Sequence, residues 1–176
     1  NITQVDTRKS IVGTSEPATG TGVDGNPRVA VGEIVQYRVF ITMSEGTAAN
    51  FSIYDNLPTG MTYITGSARV GFVASYGAGA GITSTDITSA LSGCSGLNIT
   101  AGDIGSVPTT DITCPLPGNL VTLNGAGDPT VNFGTVANFD TDADTEYLVL
   151  ELQAVVQNIA GNSAGKKCFP FSRRTD

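Results

Sequence analysis

Hydrophobic and polar residues alternate with a period of two along two long stretches of the chain, residues 33–43 and 146–157. In the first stretch, one face carries Val35, Tyr37, Val39, Ile41 and Met43. Its other face carries Gln36, Arg38 and Thr42, with Phe40 as an exception. The second stretch has Leu148, Leu150, Leu152, Ala154 and Val156 on one face, opposite Glu151, Gln153 and Gln157. This period is typical of half-buried β-strands, so both stretches are predicted strands.

Shorter strand signals lie between these two stretches. Phe51, Ile53 and Asp55 share one face of a strand that the turn residues "NLPTG" terminate. The runs "SARVGFVAS" (67–75) and "PTVNFGTV" (129–136) also have strand character. No segment has the pattern of an amphipathic helix, and the sequence therefore predicts an all-β sandwich with Greek-key connections.

Residues 74–130 are rich in Gly, Ser, Thr and Pro and have no sustained period. A structureless loop of that length is improbable inside one domain. We therefore expect a long decorated insertion with short strands, within a single domain that spans residues 1–176.

Composition narrows the choice of partners. Charged residues are only 14% of the chain and the net charge is −7. Four of the nine basic residues lie in the last eleven positions, so the body of the protein is strongly acidic. This argues against nucleic acid and anionic membranes as partners. No apolar run approaches the roughly 18–20 residues of a membrane span.

The three cysteines point to an oxidising compartment. Cys94 and Cys114 lie in the same turn-rich region, and a disulfide between them closes a loop of about 20 residues. Two free thiols in a cytosolic protein are the alternative. Cys168 is the odd cysteine, either free or joined to another chain. Since the chain begins at Asn1 without Met or a leader, we expect a processed protein or a piece of a longer one.

Three segments, in order, resemble the immunoglobulin-like conserved repeat domain of bacterial and archaeal cell-surface proteins. They are "TRKSIVGTS", "VGEIVQYRVFITMSEGTAANFSIYDNLPTGMTYITGSA" and "VNFGTVANFDTDADTEYLVLELQAVVQNIAGNSAG". The most specific part is the turn motif of Asp55, Leu57, Pro58, Gly60, Gly66 and Ser67. The resemblance leaves out the insertion and the tail, residues 166–176. It implies a secreted, immunoglobulin-like module of stalks, adhesins or fibres, and not an enzyme.

The end of the chain departs from this family pattern. Family members finish with a strand containing an "N-x-A" motif, whereas this chain has "CFPFSRRTD". A sandwich that lacks one strand has an open edge, which a neighbouring chain can fill. We expect residues 1–12 to be the donated strand, with Ile2, Val5 and Ile11 as plugs and residues 13–32 as linker. Alternatively, residues 1–12 form the domain's own first strand.

Lys9 and Asp55 are both in phase with apolar residues of predicted strands, so both side chains are expected to point inward. A buried amine and a buried carboxylate must be paired or neutralised. The sequence leaves open a buried or half-buried ion pair, and a solvated Lys9 with Asp55 capping a turn. In surface domains of this type such residues also form Lys–Asn isopeptide bonds, and Asn158 or an Asn of another chain would be the partner.

The stretch "DTDADTE" places acids at alternate positions, namely Asp140, Asp142, Asp144 and Glu146. Its spacing is close to that of a calcium loop, but Thr145 stands where such a loop needs Gly. An acidic, solvated turn is the first interpretation, and a calcium site is the alternative. No other cofactor is expected.

Three N-glycosylation sequons begin at Asn1, Asn50 and Asn98, and they matter only in a host that glycosylates. Because the chain contains no histidine, Ser–His–Asp and Cys–His arrangements are impossible. A glycosidase needs only two carboxylates, but no pair stands out among the sixteen acids. No catalytic residue is predicted.

These observations favour a structural protein, secreted and assembled with copies of itself into an extracellular fibre, pilus-like filament or surface stalk. The alternative is an adhesin whose insertion, residues 74–130, contacts a glycan or another cell. A hydrolase is the third and least supported function.

Overall fold

In this computed structural model, residues 6–16, 28–74, 81–99, 107–140 and 145–159 are described. They form eleven strands: β1 (Thr7–Thr14), β2 (Ile34–Met43), β3 (Gly46–Tyr54), β4 (Met61–Tyr63), β5 (Arg69–Val73), β6 (Ile82–Ser84), β7 (Asn98–Ile99), β8 (Cys114–Pro115), β9 (Val121–Leu123), β10 (Pro129–Asn138) and β11 (Glu146–Val156). Short 3-10 turns cover Thr109–Asp111 and Gly118–Leu120, and these ranges contain no α-helix. The all-β prediction is confirmed.

The strands form two sheets. In the large sheet the order is β1-β2-β11-β5-β7, with β4 paired to β11 and β8 paired to β5. In the small sheet the order is β3-β10-β6, with β9 also paired to β10. The described pairings are antiparallel except that of β5 with β7. Because the chain crosses between the sheets from β2 to β3 and from β10 to β11, the two sheets pack face to face as a sandwich.

The main core lies between the two sheets and contains the faces that period-two alternation predicts. The predicted inward residues of β2 and β11 are all buried, and Phe133 and Val131 of β10 meet them from the small sheet. Phe51 packs edge-on against Phe133, with ring centroids 5.7 Å apart. The predicted strand positions are therefore confirmed for both long strands.

The outer face of the large sheet differs from the prediction. It carries a second apolar cluster of Phe40, Val73, Ile99, Val107, Ile112 and Val149. Three members of that cluster come from the insertion, which covers this face. Arg38 and Glu151, predicted to face solvent, are consequently buried. Phe40 broke the alternation because its side of the strand is also covered.

The N-terminal strand pairs within its own domain. β1 runs antiparallel to β2, with Lys9 opposite Val39 and Ile11 opposite Tyr37, and Ile11 packs against the main core. The expectation that residues 1–12 are donated to a neighbour is therefore wrong for residues 7–12, because their backbone pairs with β2 of the same chain and Ile11 packs against the core of the same domain. Residues 13 and 14, assigned to the linker, belong to β1. Ile2, Val5 and residues 17–27 of the linker lie outside the described residues.

The described part of the insertion is folded onto the sandwich. It contributes β6 to β9, and its buried side chains include Ile87, Leu97, Ile112 and Leu116. Short strands were expected in this region, and β10 already begins at Pro129. Residues 75–80, 100–106 and the tail 166–176 lie outside the described part.

The two ends of the sandwich are distinct. At one, here called the hairpin end, lie the turn between β2 and β3, the start of β1, the residues that follow β10 (Phe139 and Asp140) and the start of β11. At the opposite end, here called the exit end, Gly32 N–H donates to the Val156 carbonyl and Gln157 N–H donates to the Gly60 carbonyl. The described chain thus begins at the hairpin end and leaves at the exit end.

Candidate functional site

Among the described residues, no strand pairs with the outer edges of the strands along one side of the sandwich. This side lies between β1, the edge strand of the large sheet, and β3, the edge strand of the small sheet. Within the described ranges, β1 pairs only with β2 and β3 pairs only with β10. The outer backbone groups of a strand at such an edge are available to another strand. We call residues 51–55, which are the last four residues of β3 and the residue after it, the open edge.

The open edge is the regular half of β3. Near its middle, Asn50 has a φ of 54° and Gly134 of the facing β10 has a φ of 66°. The pairing register shifts on both sides of Gly134, whereas Ser52, Ile53 and Tyr54 pair in register with β10. Asp55 continues this ladder, since its N–H donates to the Pro129 carbonyl at 2.9 Å. A docking strand therefore finds four regular positions there, residues 52–55.

An ion pair bridges the two sheets at the open edge. Lys9 Nζ of β1 lies 2.5 Å from Asp55 Oδ1, and the side chains are 15% and 4% exposed. Lys9 Nζ also lies 4.2 Å from the centroid of the Tyr37 ring, a cation–π contact. Asp55 Oδ2 is buried and accepts no hydrogen bond from the described residues. One carboxylate oxygen is thus satisfied and the other is left for a further donor.

A second carboxylate next to this pair is well satisfied. Asp128 accepts hydrogen bonds from Leu57 N–H at 3.1 Å, Tyr54 O–H at 3.0 Å and Asn124 Nδ2 at 3.0 Å. Burial alone would raise the pKa of Asp128, but these donors and the charge of Lys9 together lower it. The hydrogen bond to Asp128 in turn raises the pKa of the exposed Tyr54 phenol. The turn after β3 is held by this network.

The structure does not bring Asn158 to Lys9. Lys9 lies opposite Val39, and Val39 lies opposite Leu150 of β11. From Leu150 the strand runs six residues, about 20 Å, toward the exit end before the exposed Asn158 follows. An isopeptide bond between Lys9 and Asn158 within one chain is therefore wrong for this geometry, and the Lys9–Asp55 ion pair occupies the site.

Cys94 and Cys114 are joined in a disulfide that spans a sequence separation of 20 residues. Cys114 is fully buried in β8, which pairs with β5 on the side of the large sheet away from β1. The disulfide joins two parts of the insertion beside β5, on the side of the large sheet opposite the open edge. Cys168 lies outside the described residues.

The acidic stretch is only partly described. Asp140 and Glu146 are buried at the two sides of residues 141–144, which lie outside the described part together with Asp142 and Asp144. Asn138 links the two: its Oδ1 accepts from Asp140 N–H, and its Nδ2 donates to Glu146 Oε2 at 2.8 Å. Among the described residues, no group of three or more acidic, Cys or His side chains could hold a metal ion.

Of the three sequons, those at Asn50 and Asn98 have exposed asparagines, on β3 and β7. Asn1 lies outside the described residues.

In the described part of the chain, no helix has the length and apolar character that crossing a membrane requires.

The sequence reading missed a second buried ion pair, on the outer face of the large sheet. Arg38 Nη2 lies 2.6 Å from Glu151 Oε1, with exposures of 4% and 1%. Gln36 Nε2 donates to Glu151 Oε2 at 2.8 Å, and Arg38 Nη1 donates to the Val107 carbonyl of the insertion. The sequence signal that could have predicted this pair is that Arg38 and Glu151 carry opposite charges and both lie on the polar face of an alternating strand. The pair holds the insertion against the sheet.

Comparison with known proteins identifies no family for this chain. No family model matches the chain, and no curated protein matches it. Among solved structures, the pilus backbone (RrgB) from Streptococcus pneumoniae is similar over 88% of this chain and 46% of that chain, with 10% identity and a TM-score of 0.35. The chain thus spans less than half the length of that protein. At this level the likeness carries no argument about function, and the resemblance to immunoglobulin-like surface repeats stays a prediction.

Proposed function

We propose that this protein is a structural subunit or module of an extracellular fibre, pilus-like filament or surface stalk, in which copies add a β-strand to one another. The observation that carries the proposal is the open edge: the side of residues 51–55 that faces away from β10 is not paired with any described strand. An uncovered edge promotes unwanted association unless a protein blocks or uses it. In a self-assembling subunit the same edge becomes the contact between copies.

The disulfide, the packing of the insertion and the net charge each support part of this proposal. The Cys94–Cys114 disulfide suits an oxidising compartment. Except for the exposed Leu123, the larger apolar side chains of the described insertion are buried or partly buried, and this supports a built-in structural element better than an adhesive loop. The net charge of −7 also fits a protein that does not bind nucleic acid.

The test is a variant that blocks the open edge without disturbing the pairing with β10. Since Asp55 N–H points to β10, the alternation of an antiparallel ladder directs Ser52 N–H outward. Ser52 is exposed, and Ser52→Pro removes that donor, a change that edge strands tolerate. Ser52→Ala keeps the backbone N–H and is the matched control.

We expect filaments of the wild type and of Ser52→Ala by electron microscopy, and a monomer of Ser52→Pro that keeps its β-sheet circular dichroism spectrum. Sedimentation velocity measures the monomer fraction. Wild-type protein that stays monodisperse at all concentrations would reject the fibre. Filaments of Ser52→Pro that match the wild type would reject the open edge as the contact.

A further inference from the structure

Asp55 Oδ2 indicates what a docking strand must carry. Asp55 is 4% exposed, Lys9 occupies its Oδ1, and no described group donates to Oδ2. A buried carboxylate oxygen without a donor is unfavourable, so a strand that supplies one binds more tightly than a strand that does not. Ile53, two residues earlier, is buried on the same face. The open edge therefore favours a strand with an apolar residue and a hydrogen-bond donor two positions apart.

Resting on the proposed function, we infer that this strand is residues 1–5 of a second copy, with the Gln4 carboxamide donating to Asp55 Oδ2 and Ile2 packing on Ile53. These five residues, "NITQV", precede β1 and lie outside the described residues. Extended, they span about 17 Å, the length of residues 51–55 of the open edge.

The direction of growth selects Gln4 over Thr3. Residues 1–5 join the domain at its hairpin end, and β3 starts at the hairpin end and runs away from it. An antiparallel donor would bring two hairpin ends together and allow reciprocal exchange, which closes a dimer. A parallel donor places the second copy beyond the far end of β3, so the contact repeats in one direction as a fibre requires. In the parallel register, Ile2 opposite Ile53 places Gln4 opposite Asp55.

The experiment compares full-length Gln4→Leu with full-length Thr3→Val, which alters the opposite face of the same segment. The critical concentration for filament assembly is measured by sedimentation. Loss of the proposed donor to Asp55 Oδ2, a buried carboxylate oxygen, should raise it about tenfold or more for Gln4→Leu. Thr3→Val should stay within about twofold of the wild type. Both changes lie outside the described fold, and thermal unfolding checks that it is intact.

Equal critical concentrations of Gln4→Leu and wild type would overturn the inference while leaving the fibre in place. A loss with Thr3→Val that exceeds the loss with Gln4→Leu would overturn it in favour of the antiparallel register. Assembly that is abolished by deleting residues 160–176, with Gln4→Leu unaffected, would overturn it and assign the open edge to the C-terminal segment. A wild type without filaments rejects the proposed function itself.

Discussion

At the scale of single residues, two neighbouring carboxylates behave differently. Asp128 accepts three hydrogen bonds from described groups, whereas Asp55 has one oxygen paired with Lys9 and one without a described donor. The first stabilises a turn of its own domain. The second is available for a group that another segment brings.

The Tyr54–Asp128 hydrogen bond predicts a shifted phenol titration. The folded-state pKa of Tyr54 lies above 10.0, mainly because Asp128 accepts from its hydroxyl. This contributes stability below pH 10, which is lost as the pH rises through the folded-state pKa. Ultraviolet titration, with Tyr54→Phe subtracted to isolate one phenol, should show the pKa falling toward 10.0 in Asp128→Asn. An unchanged Tyr54 pKa in Asp128→Asn would contradict this cause.

Asp128 also predicts a loss of stability in acid. Its pKa is lowered from 3.8 in the folded state, so it stabilises the fold above that pH and this contribution disappears as the pH falls through the lowered folded-state pKa. Denaturant unfolding between about pH 2 and pH 5 should therefore show a shallower pH dependence for Asp128→Asn than for the wild type. Parallel curves would show that other groups carry the acid sensitivity.

The Lys9–Asp55 ion pair predicts that Lys9 keeps its amine. Isopeptide formation releases ammonia, a loss of about 17 Da. Because Asn158 lies far from Lys9 in the same chain, the measured intact mass of the reduced protein should equal the mass calculated from its sequence. A deficit of one ammonia, mapped to a peptide that contains Lys9, would show that another asparagine reaches the amine.

At the scale of elements, β2 and β11 carry most of the architecture. They pair directly over ten residue pairs in the centre of the large sheet, and each has core on one face and the insertion on the other. Arg38 and Glu151 lie opposite each other in this pairing. Their ion pair is therefore buried by an element that is distant in sequence.

Removing one partner of that pair should be costly. Arg38→Met leaves the Glu151 charge buried, for which about 3–5 kcal/mol of destabilisation is expected. Arg38→Met/Glu151→Leu removes both charges and should recover most of the loss. Denaturant unfolding gives both values, and hydrogen exchange should report loosening at residues 107–112 in the single variant. Equal destabilisation of the single and double variants would contradict this account.

Local pattern sufficed for some of these elements and failed for others for a physical reason. The inward faces of β2 and β11 were predictable because alternation in a strand follows from backbone geometry alone. Burial of Arg38 was not, since it depends on Val107, 69 residues away. Whether residues 1–12 pair within their own domain or with a neighbour was equally unpredictable, because both kinds of strand have the same alternation of apolar and polar residues. The Lys9–Asp55 pair was predictable because both residues are in phase with inward-facing apolar residues. The separation of Lys9 from Asn158 was not predictable, because it depends on the pairing register of β1, β2 and β11.

At the scale of the whole molecule, the disulfide and the proposed assembly contact lie on opposite sides. The disulfide lies by β5 and β8, and the open edge lies by β1 and β3. Since these regions share no described strand pairing, a change at one should leave the other in place.

Removal of the disulfide should therefore destabilise the subunit without preventing assembly. A closed loop of 20 residues contributes roughly 3 kcal/mol in the chain-entropy account. For a chain of this size, Cys94→Ala/Cys114→Ala should lower the Tm by about 6–12 °C. Calorimetry measures the Tm, and electron microscopy at a temperature well below it should still show filaments. Loss of filaments from a folded variant would mean that the insertion takes part in the contact.

The positions at which the described chain begins and ends also decide how a subunit carries tension. A load applied at Asp6 and Ile159 pulls the hairpin end and the exit end apart, along the strands. β1 and β11 run in the same direction and are each paired to the intervening β2, over seven and ten residue pairs. Because ladder hydrogen bonds are perpendicular to the strands, such a load shears many of them together instead of opening them one by one. A string of these domains would resist stretching far better than peeling.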